Sequence, residues 1–357
     1  MKAIAIHLPQ FHPFPENDAW WGKGFTEWTN VAKATPRFSG HYQPHLPADL
    51  GFYDLRLEEA RIAQAEFARS YGISGFCYYH YWFNGKRLLH RPLDDMLKTK
   101  TPDFPFMLCW ANENWTRRWD GMDQEVLIKQ DYSEQDNVAH MQFLCEHFFS
   151  DTRYIRVDGK PFFVVYQPEL IPHIQKTIDV WRNAAQKNGV GELYLGYMYQ
   201  RGTSPTMETV GFDCSIEFQP DIGDVSPRLG PTLLDRSLNK LGIFKSVAIA
   251  NAIYSYEQYA QKMMKREISI SRYPGITPMW DNSARRKTGA TIFKDASPEM
   301  YKKWLDHIVT EYKKVNTENK FVFINAWNEW AEGNHLEPCH RWGLQYLEAT
   351  KEALKNG

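Results

Sequence analysis

Cysteine is scarce, with five in 357 residues and at irregular spacing. An odd, scattered set excludes a disulfide framework and points to a reducing compartment. Cys77, Cys109 and Cys214 each sit in an apolar run and read as small buried hydrophobes. An excess of one charge is lacking too. With 42 Lys and Arg against 43 Asp and Glu, nothing favours nucleic acid or an anionic membrane as partner. No run reaches the roughly 18 apolar residues that span a bilayer. The opening MKAIAIHLPQ has no long apolar core and no small-residue cleavage site, so a cytoplasmic chain is expected rather than a secreted one. Nucleotide-handling signatures are also missing. LPQFHP stands where a Gly-rich turn would follow the first strand, and no D-x-D pair occurs. His7 with His12, His41 with His45, and His335 with His340 are close in sequence, but none has a zinc-like Cys partner or an H-E-x-x-H frame. Neither a metal nor any other cofactor is expected.

Aromatic side chains are abundant: 15% of the chain, with 13 Trp and 19 Tyr. This composition invites a carbohydrate ligand, because the C–H faces of a sugar ring stack on flat, amphipathic rings. A large aromatic core is equally compatible with it. The remaining composition, 43% hydrophobic and 24% charged, is ordinary for a globular protein.

The most informative stretch is 321–338, FVFINAWNEWAEGNHLEP. It begins as a short β-branched and aromatic run, the mark of a strand buried on both faces. It then turns abruptly to amides and carboxylates set among Trp327 and Trp330. Glu329 and Glu332 are three apart. In a continuing strand they would face opposite ways, but in a helical turn they would share a face, with Cβ atoms roughly 5–6 Å apart. Gly333 suits such a turn. Two carboxylates that close cannot both ionise freely, so one is a candidate proton donor and the other a base. A plain helix N-terminus decorated with acids is the competing reading. Close carboxylates suit retention at a glycosidic bond better than inversion, whose pairs stand roughly 6.5–9.5 Å apart to admit a water.

Strand-like runs recur through the chain, at 2–8, 73–79, 106–110, 161–166, 193–197, 214–218, 275–280 and 321–325. Helical spacing lies between them, at 55–71, 88–98, 134–149, 171–188, 298–315 and 342–354. Eight short apolar strands alternating with helices predict parallel βαβ units, and each strand ends in polar or aromatic residues. The expected fold is an α/β, (β/α)8 TIM barrel: a single domain over 1–357 with long βα loops and a site at the C-terminal ends of the strands. An irregular segment runs to about residue 54, and 221–242 reads as another long βα loop.

Three blocks identify a family: NAWNEWAEG followed by HLEP; LPQFHP with WGKGFTEWTNV; and CWANENWTRRWDG. The chain resembles, over nearly its whole length, the WbsX-like proteins of polysaccharide gene clusters, which are related to the family 99 endo-α-mannosidases and endo-α-mannanases. The resemblance implies a retaining route with no covalent nucleophile. Glu329 takes the proton of the sugar 2-OH, which attacks C1 to give a 1,2-anhydro sugar. Glu332 protonates the leaving oxygen and then activates water. Where family 99 has a His beside this pair, the chain has Ala331.

Further candidates for the sugar site come from the strand ends and the long first loop: His12, Trp28, Tyr42, Tyr79, His80, Trp110, Asn112, Glu113, Trp115, Tyr166, Asp281, Asn328 and His335. Glu113 reads as a contact to a sugar hydroxyl, as a third carboxylate that raises a neighbour's pKa, or as a structural partner of Arg117 or Arg118. Trp110, Trp115 and Trp119 are sugar platforms or core wedges. Arg285, Arg286 and Lys287 read as a solvated basic loop, or as a phosphate contact if the substrate is lipid-linked or nucleotide-activated. Three functions are compatible with an oligosaccharide or polysaccharide partner. The first is a retaining hydrolase or transglycosylase on α-linked, mannose-like chains. The others are a glycosyltransferase of O-antigen or capsule assembly and a silent glycan-binding barrel.

Overall fold

The alternation of strand and helix closes into a near-complete parallel ring with helices around it, a TIM-barrel-like arrangement. The structure, a computed structural model, describes residues 1–38, 40–117, 122–201, 211–230, 233–242 and 250–356. Around the ring run β1 (Lys2–His7), β2 (Ile73–Phe83), β3 (Phe106–Trp110), β4 (Lys160–Val165), β5 (Tyr194–Tyr199), β6 (Cys214–Glu217), β7 (Gly275–Ile276) and β8 (Phe321–Ile324). Each strand from β1 to β6 pairs in parallel with the next. β7 pairs with β8, and β8 with β1.

The remaining seam lies between β6 and β7, where one interrupted strand serves both neighbours. Arg272–Tyr273 pairs with β6, and β7 follows directly after Pro274. Pro274 has no N–H to offer a ladder, although its carbonyl still accepts from Phe323 at 2.9 Å. Gly275 passes so close to β6 that a Cβ there would stand 1.8 Å from the Glu217 carbonyl oxygen. Only glycine fits this crossing.

β1, β3, β4 and β8 are buried along almost their entire length, as parallel strands covered by helices must be. The barrel floor is aromatic. Phe162 meets Phe321, Phe323 and Tyr273 with ring centroids about 6 Å apart, each such pair being worth about 0.5–1.5 kcal/mol beyond its buried area. Part of the aromatic excess is therefore core.

The α-helices among the described residues are α1 (Pro15–Trp21), α2 (Glu27–Lys33), α3 (Glu58–Ser70), α4 (Arg91–Thr99), α5 (Glu134–Leu144), α6 (Ile174–Lys187), α7 (Leu233–Lys240), α8 (Tyr256–Met263), α9 (Pro298–Lys313) and α10 (Gln345–Lys355). α9 starts as its sequence demands: Ser297 caps the Met300 amide, and Pro298 takes the first turn.

Three departures from the expected pattern matter for the site. The first loop is not structureless but holds α1 and α2. β2 runs to Phe83 and folds back on Lys86–Leu88, so His80 lies within a strand rather than past its tip, and α4 starts only at Arg91. The last strand before β8 is short because Thr277 turns its hydroxyl to the Met279 carbonyl and the Asn334 side chain, at 2.8 and 3.0 Å. Such local bonds compete with a ladder.

Candidate active site

Beyond Ile324 the chain leaves the ladder but stays tied to its neighbours. The Asn325 amide donates to Ile276 O at 2.9 Å, and that of Trp327 to Ile6 O at 2.7 Å. Asn328 then behaves like a piece of strand. Its Oδ1 accepts from Leu8 N at 2.7 Å, and its Nδ2 donates to Leu8 O at 3.0 Å. Asn328–Glu329 pairs antiparallel with Asn334–His335 around the single 3₁₀ turn Trp330–Glu332. Gly333 closes the turn at φ 54°, where a Cβ would come within 3.0 Å of Asp281. The two acids are thus neither on a straight strand nor at the start of a long helix. The hairpin and its one tight turn bring both to the same side.

Both acids grip one guanidinium. Arg285 Nη2 lies 2.8 Å from Glu329 Oε2, and Arg285 Nη1 lies 2.6 Å from Glu332 Oε1. The separation of the two carboxylates is therefore limited to the width of one guanidinium plus two hydrogen bonds. A third carboxylate completes the group: Glu27 Oε1, on the first turn of α2, accepts from Arg285 Nε at 2.8 Å and from Nη2 at 2.6 Å. Arg285 is thus no solvated loop residue. Its side chain is only 14% exposed, and the basic run contributes its first member to the acid cluster.

Among the described residues, the one guanidinium of Arg285 bonds all three carboxylates. Burial pushes Glu329 up to about 8; Arg285 opposes the rise, while Glu332 and Glu27 add to it. Glu27 is raised as well, first by burial and against the pull of Arg285. A carboxyl held above its ordinary range beside a second acid is a recurrent feature of sites that move protons.

The acids open on a cavity of about 350 Å³ at the C-terminal mouth of the ring, whose wall includes Tyr79, Tyr81, Glu113, Trp115, Tyr166 and Trp280. Trp115 meets Tyr81 edge to face at 5.2 Å, and Tyr79 meets Tyr166 at 6.0 Å. Glu113 accepts from Gln167 Nε2 at 2.8 Å. Arg118, Trp119 and the side chain of Arg117 lie outside the described residues. Of the thirteen binding candidates, the structure therefore brings Tyr79, Glu113, Trp115 and Tyr166 to the cavity beside Glu329 and Glu332.

The others stand elsewhere. Asn112 is a second backbone clasp, donating to Gln167 O at 2.7 Å and accepting from Gln167 N at 2.8 Å. Trp110 is a core wedge against Trp181 and His140. His80 is hydrogen-bonded to His140 at 3.0 Å, and burial holds both imidazoles neutral. Trp28 donates to Tyr53 O at 2.8 Å and packs on Trp330. His12 is buried beside Phe14. His335 lies flat on Trp330, with ring centroids 3.8 Å apart, and reaches His45 at 3.1 Å. Asp281 and Tyr42 line a smaller cavity of about 60 Å³ that shares Trp280 with the first. There His41 Nε2 lies 2.6 Å from Asp281 Oδ2. Burial alone would raise Asp281, but His41 and Ser283 outweigh it and hold its carboxyl below the usual range.

Glu27, Tyr81 and Trp280 were not among the sequence candidates, and Arg285 was read only as a solvated loop residue or a phosphate contact. Glu27 did lie in a quoted block, GFTEWTNV, whereas Arg285 had no signal beyond its charge. Among the described residues, no group of three or more His, Cys, Asp or Glu is placed to hold a metal ion, and no helix is long and apolar enough to cross a membrane.

A parallel TIM-like barrel with a carboxylate pair at its C-terminal mouth is the class that fold and site define. Within that class, the chain belongs to the family described as "Glycosyltransferase WbsX", which it matches over residues 3–350. It is 43% identical over 354 residues to "Uncharacterized protein WxcX" of Xanthomonas campestris pv. campestris (strain B100). That match covers 98% of this chain and 49% of the relative, so the chain spans about half the length of the curated relative. Two solved structures share the fold. A "Glycoside hydrolase-like protein" superposes with a TM-score of 0.60 at 15% identity, covering 99% of this chain and 93% of the other. The GH99 endo-alpha-mannosidase of Bacteroides thetaiotaomicron, in complex with bis-tris-propane, superposes with a TM-score of 0.58 at 14% identity, covering 99% and 96%.

Proposed function

We propose that this barrel is a retaining glycoside hydrolase or transglycosylase acting on α-linked, mannose-like glycans through a 1,2-anhydro sugar, with 1–357 as one catalytic domain. The observation that carries the reading is the pair Glu329 and Glu332, bound to one guanidinium and facing an aromatic-walled cavity. The 2-OH and the glycosidic oxygen sit on adjacent carbons, so two acids on one turn can serve both. Glu329 takes the 2-OH proton as O2 bonds to C1. The C1–O bond to the leaving sugar breaks, and that oxygen takes the proton of Glu332. Glu332, now a carboxylate, draws a proton from the incoming water as it bonds to C1. The epoxide C1–O2 bond breaks, and O2 recovers its proton from Glu329. A base with an elevated pKa is the stronger one for a weakly acidic sugar hydroxyl once it is ionised, and Arg285 supports its charged form.

The test uses α-mannooligosaccharides and an α-mannobiosyl fluoride, with the product anomer followed by NMR. Retention is expected. Glu329→Gln should lose turnover on both substrates. Glu332→Gln should lose far more on the oligosaccharides than on the fluoride, whose departure needs no acid. A 2-deoxy donor should not react at all; rapid turnover of it would end the 1,2-anhydro route. The family's description favours a second reading, transfer from a sugar nucleotide. Calorimetric binding of nucleotide sugars, with no cleavage of the oligosaccharides, would decide for it.

A further inference from the structure

We propose that Glu27 is a positioning residue for the acid pair, acting through Arg285. It seats the guanidinium so that one cation is shared between Glu329 and Glu332, and its own charge sets how the pair holds its protons. The proposal rests on the reading of Glu329 and Glu332 as the reacting acids. Glu27 comes from the first βα loop and Arg285 from the last but one, 258 residues apart in sequence, and Glu27 touches the acids' partner rather than the cavity. Its side chain is fully buried. Oε1 takes both bonds from Arg285, and the backbone amide of Ala331, on the turn between the two acids, also favours the charged form of Glu27.

A glutamine oxygen could accept the same two bonds without the cost of a buried charge. The distinctive consequence of a carboxylate is therefore electrostatic. Without it, one guanidinium would face two carboxylates; with it, the same cation is divided among three. The groups that act on Glu329 include Arg285 from the loop after β7, Glu27 from α2, Glu332 from its own turn, and the Tyr79 and Tyr81 hydroxyls from β2. Arg285 favours the ionised form of Glu329, whereas Glu27 and Glu332 disfavour it. The sign for a variant follows. Removing the charge of Glu27 takes away a repulsion and frees more of the cation, so Glu329 ionises at lower pH. Removing Arg285 does the opposite.

The experiment compares wild type, Glu27→Gln and Arg285→Met by two readouts. One is the acid limb of kcat/KM against pH on the α-mannobiosyl fluoride. The other is a carboxyl-¹³C NMR titration of Glu329, assigned by the loss of its signal in Glu329→Gln. In wild type, both midpoints should fall near 8. Glu27→Gln should lower them by about one pH unit, the usual size for loss of one nearby like charge, and Arg285→Met should raise them by a similar amount or more. If Arg285→Met does not fold, Glu27→Gln carries the test alone. A Glu27→Gln midpoint equal to that of wild type, or activity reduced equally at every pH, would overturn the proposal and leave Glu27 a structural residue. If wild type does not turn over the fluoride, the catalytic reading fails, while the NMR titration still decides what Glu27 does to Glu329.

Discussion

Two buried carboxylate sites meet at Trp330, and they are built oppositely. Toward the cavity, Glu329, Glu332 and Glu27 share one cation. Beneath the turn, Glu337 has no ion-pair partner among the described residues and accepts from Trp330 Nε1 at 2.6 Å, Gln64 Nε2 at 2.7 Å and Tyr53 Oη at 2.8 Å. Burial pushes Glu337 up to about 7, against the pull of these donors. The lower carboxylate is buried and turned to these scaffold side chains, away from the cavity. The upper site shares one guanidinium and is open on one side. Burial and an elevated pKa are common to both; the supply of partners and access to the cavity tell them apart.

The strongest way to break this comparison is to neutralise each side in turn. Glu329→Gln and Glu332→Gln should each lower turnover of α-mannooligosaccharides by on the order of 10²–10⁴-fold, with the urea unfolding midpoint close to wild type when measured near pH 5. Glu337→Ala should invert that pattern. It strands three buried donors, at about 1–3 kcal/mol each before relaxation, so a loss of about 3 kcal/mol or more is expected in urea unfolding. Equal stability losses on both sides would dissolve the distinction.

A subtler effect separates the sites by pH. Glu329 and Glu337 both bind protons more tightly in the folded chain than at their ordinary value of 4.5. The native state therefore holds protons that the unfolded chain has released, and their contribution to stability falls as pH rises. The decline should run from about 4.5 to about 7 for Glu337 and to about 8 for Glu329. Unfolding measured from pH 5 to 8 should flatten in Glu337→Gln below 7 and in Glu329→Gln up to 8. The smallest effect expected is at the wall. Trp115→Ala should raise KM roughly 3- to 10-fold, as loss of one aromatic contact would, with kcat little changed.

Much of the barrel was legible because its signals are local. Apolar runs ending in polar residues marked the strands, and Ser297 with Pro298 marked the start of α9. The acid pair was legible for the same reason: three residues and a glycine suffice to make the turn. Asn112 and Asn328 were misleading for a physical reason. A side-chain amide carries one donor and one acceptor group, as a peptide unit does, so it can clasp a neighbouring strand as readily as a sugar, and only the neighbour's position decides. His80 was misplaced because nothing in ISGFCYYHYWF says where a strand stops when a hairpin prolongs it.

The sequence by itself determined the order of strands and helices and the tight turn that brings Glu329 and Glu332 to one side, since each depends on residues within a few positions of one another. Tertiary structure alone decided that Arg285 leaves a basic run to join three acids, that Glu27 stands behind it, and which tryptophans face the cavity. Those outcomes depend on how distant loops meet at the mouth of the ring, and the energy of a shared charge exists only once closure has brought its partners together.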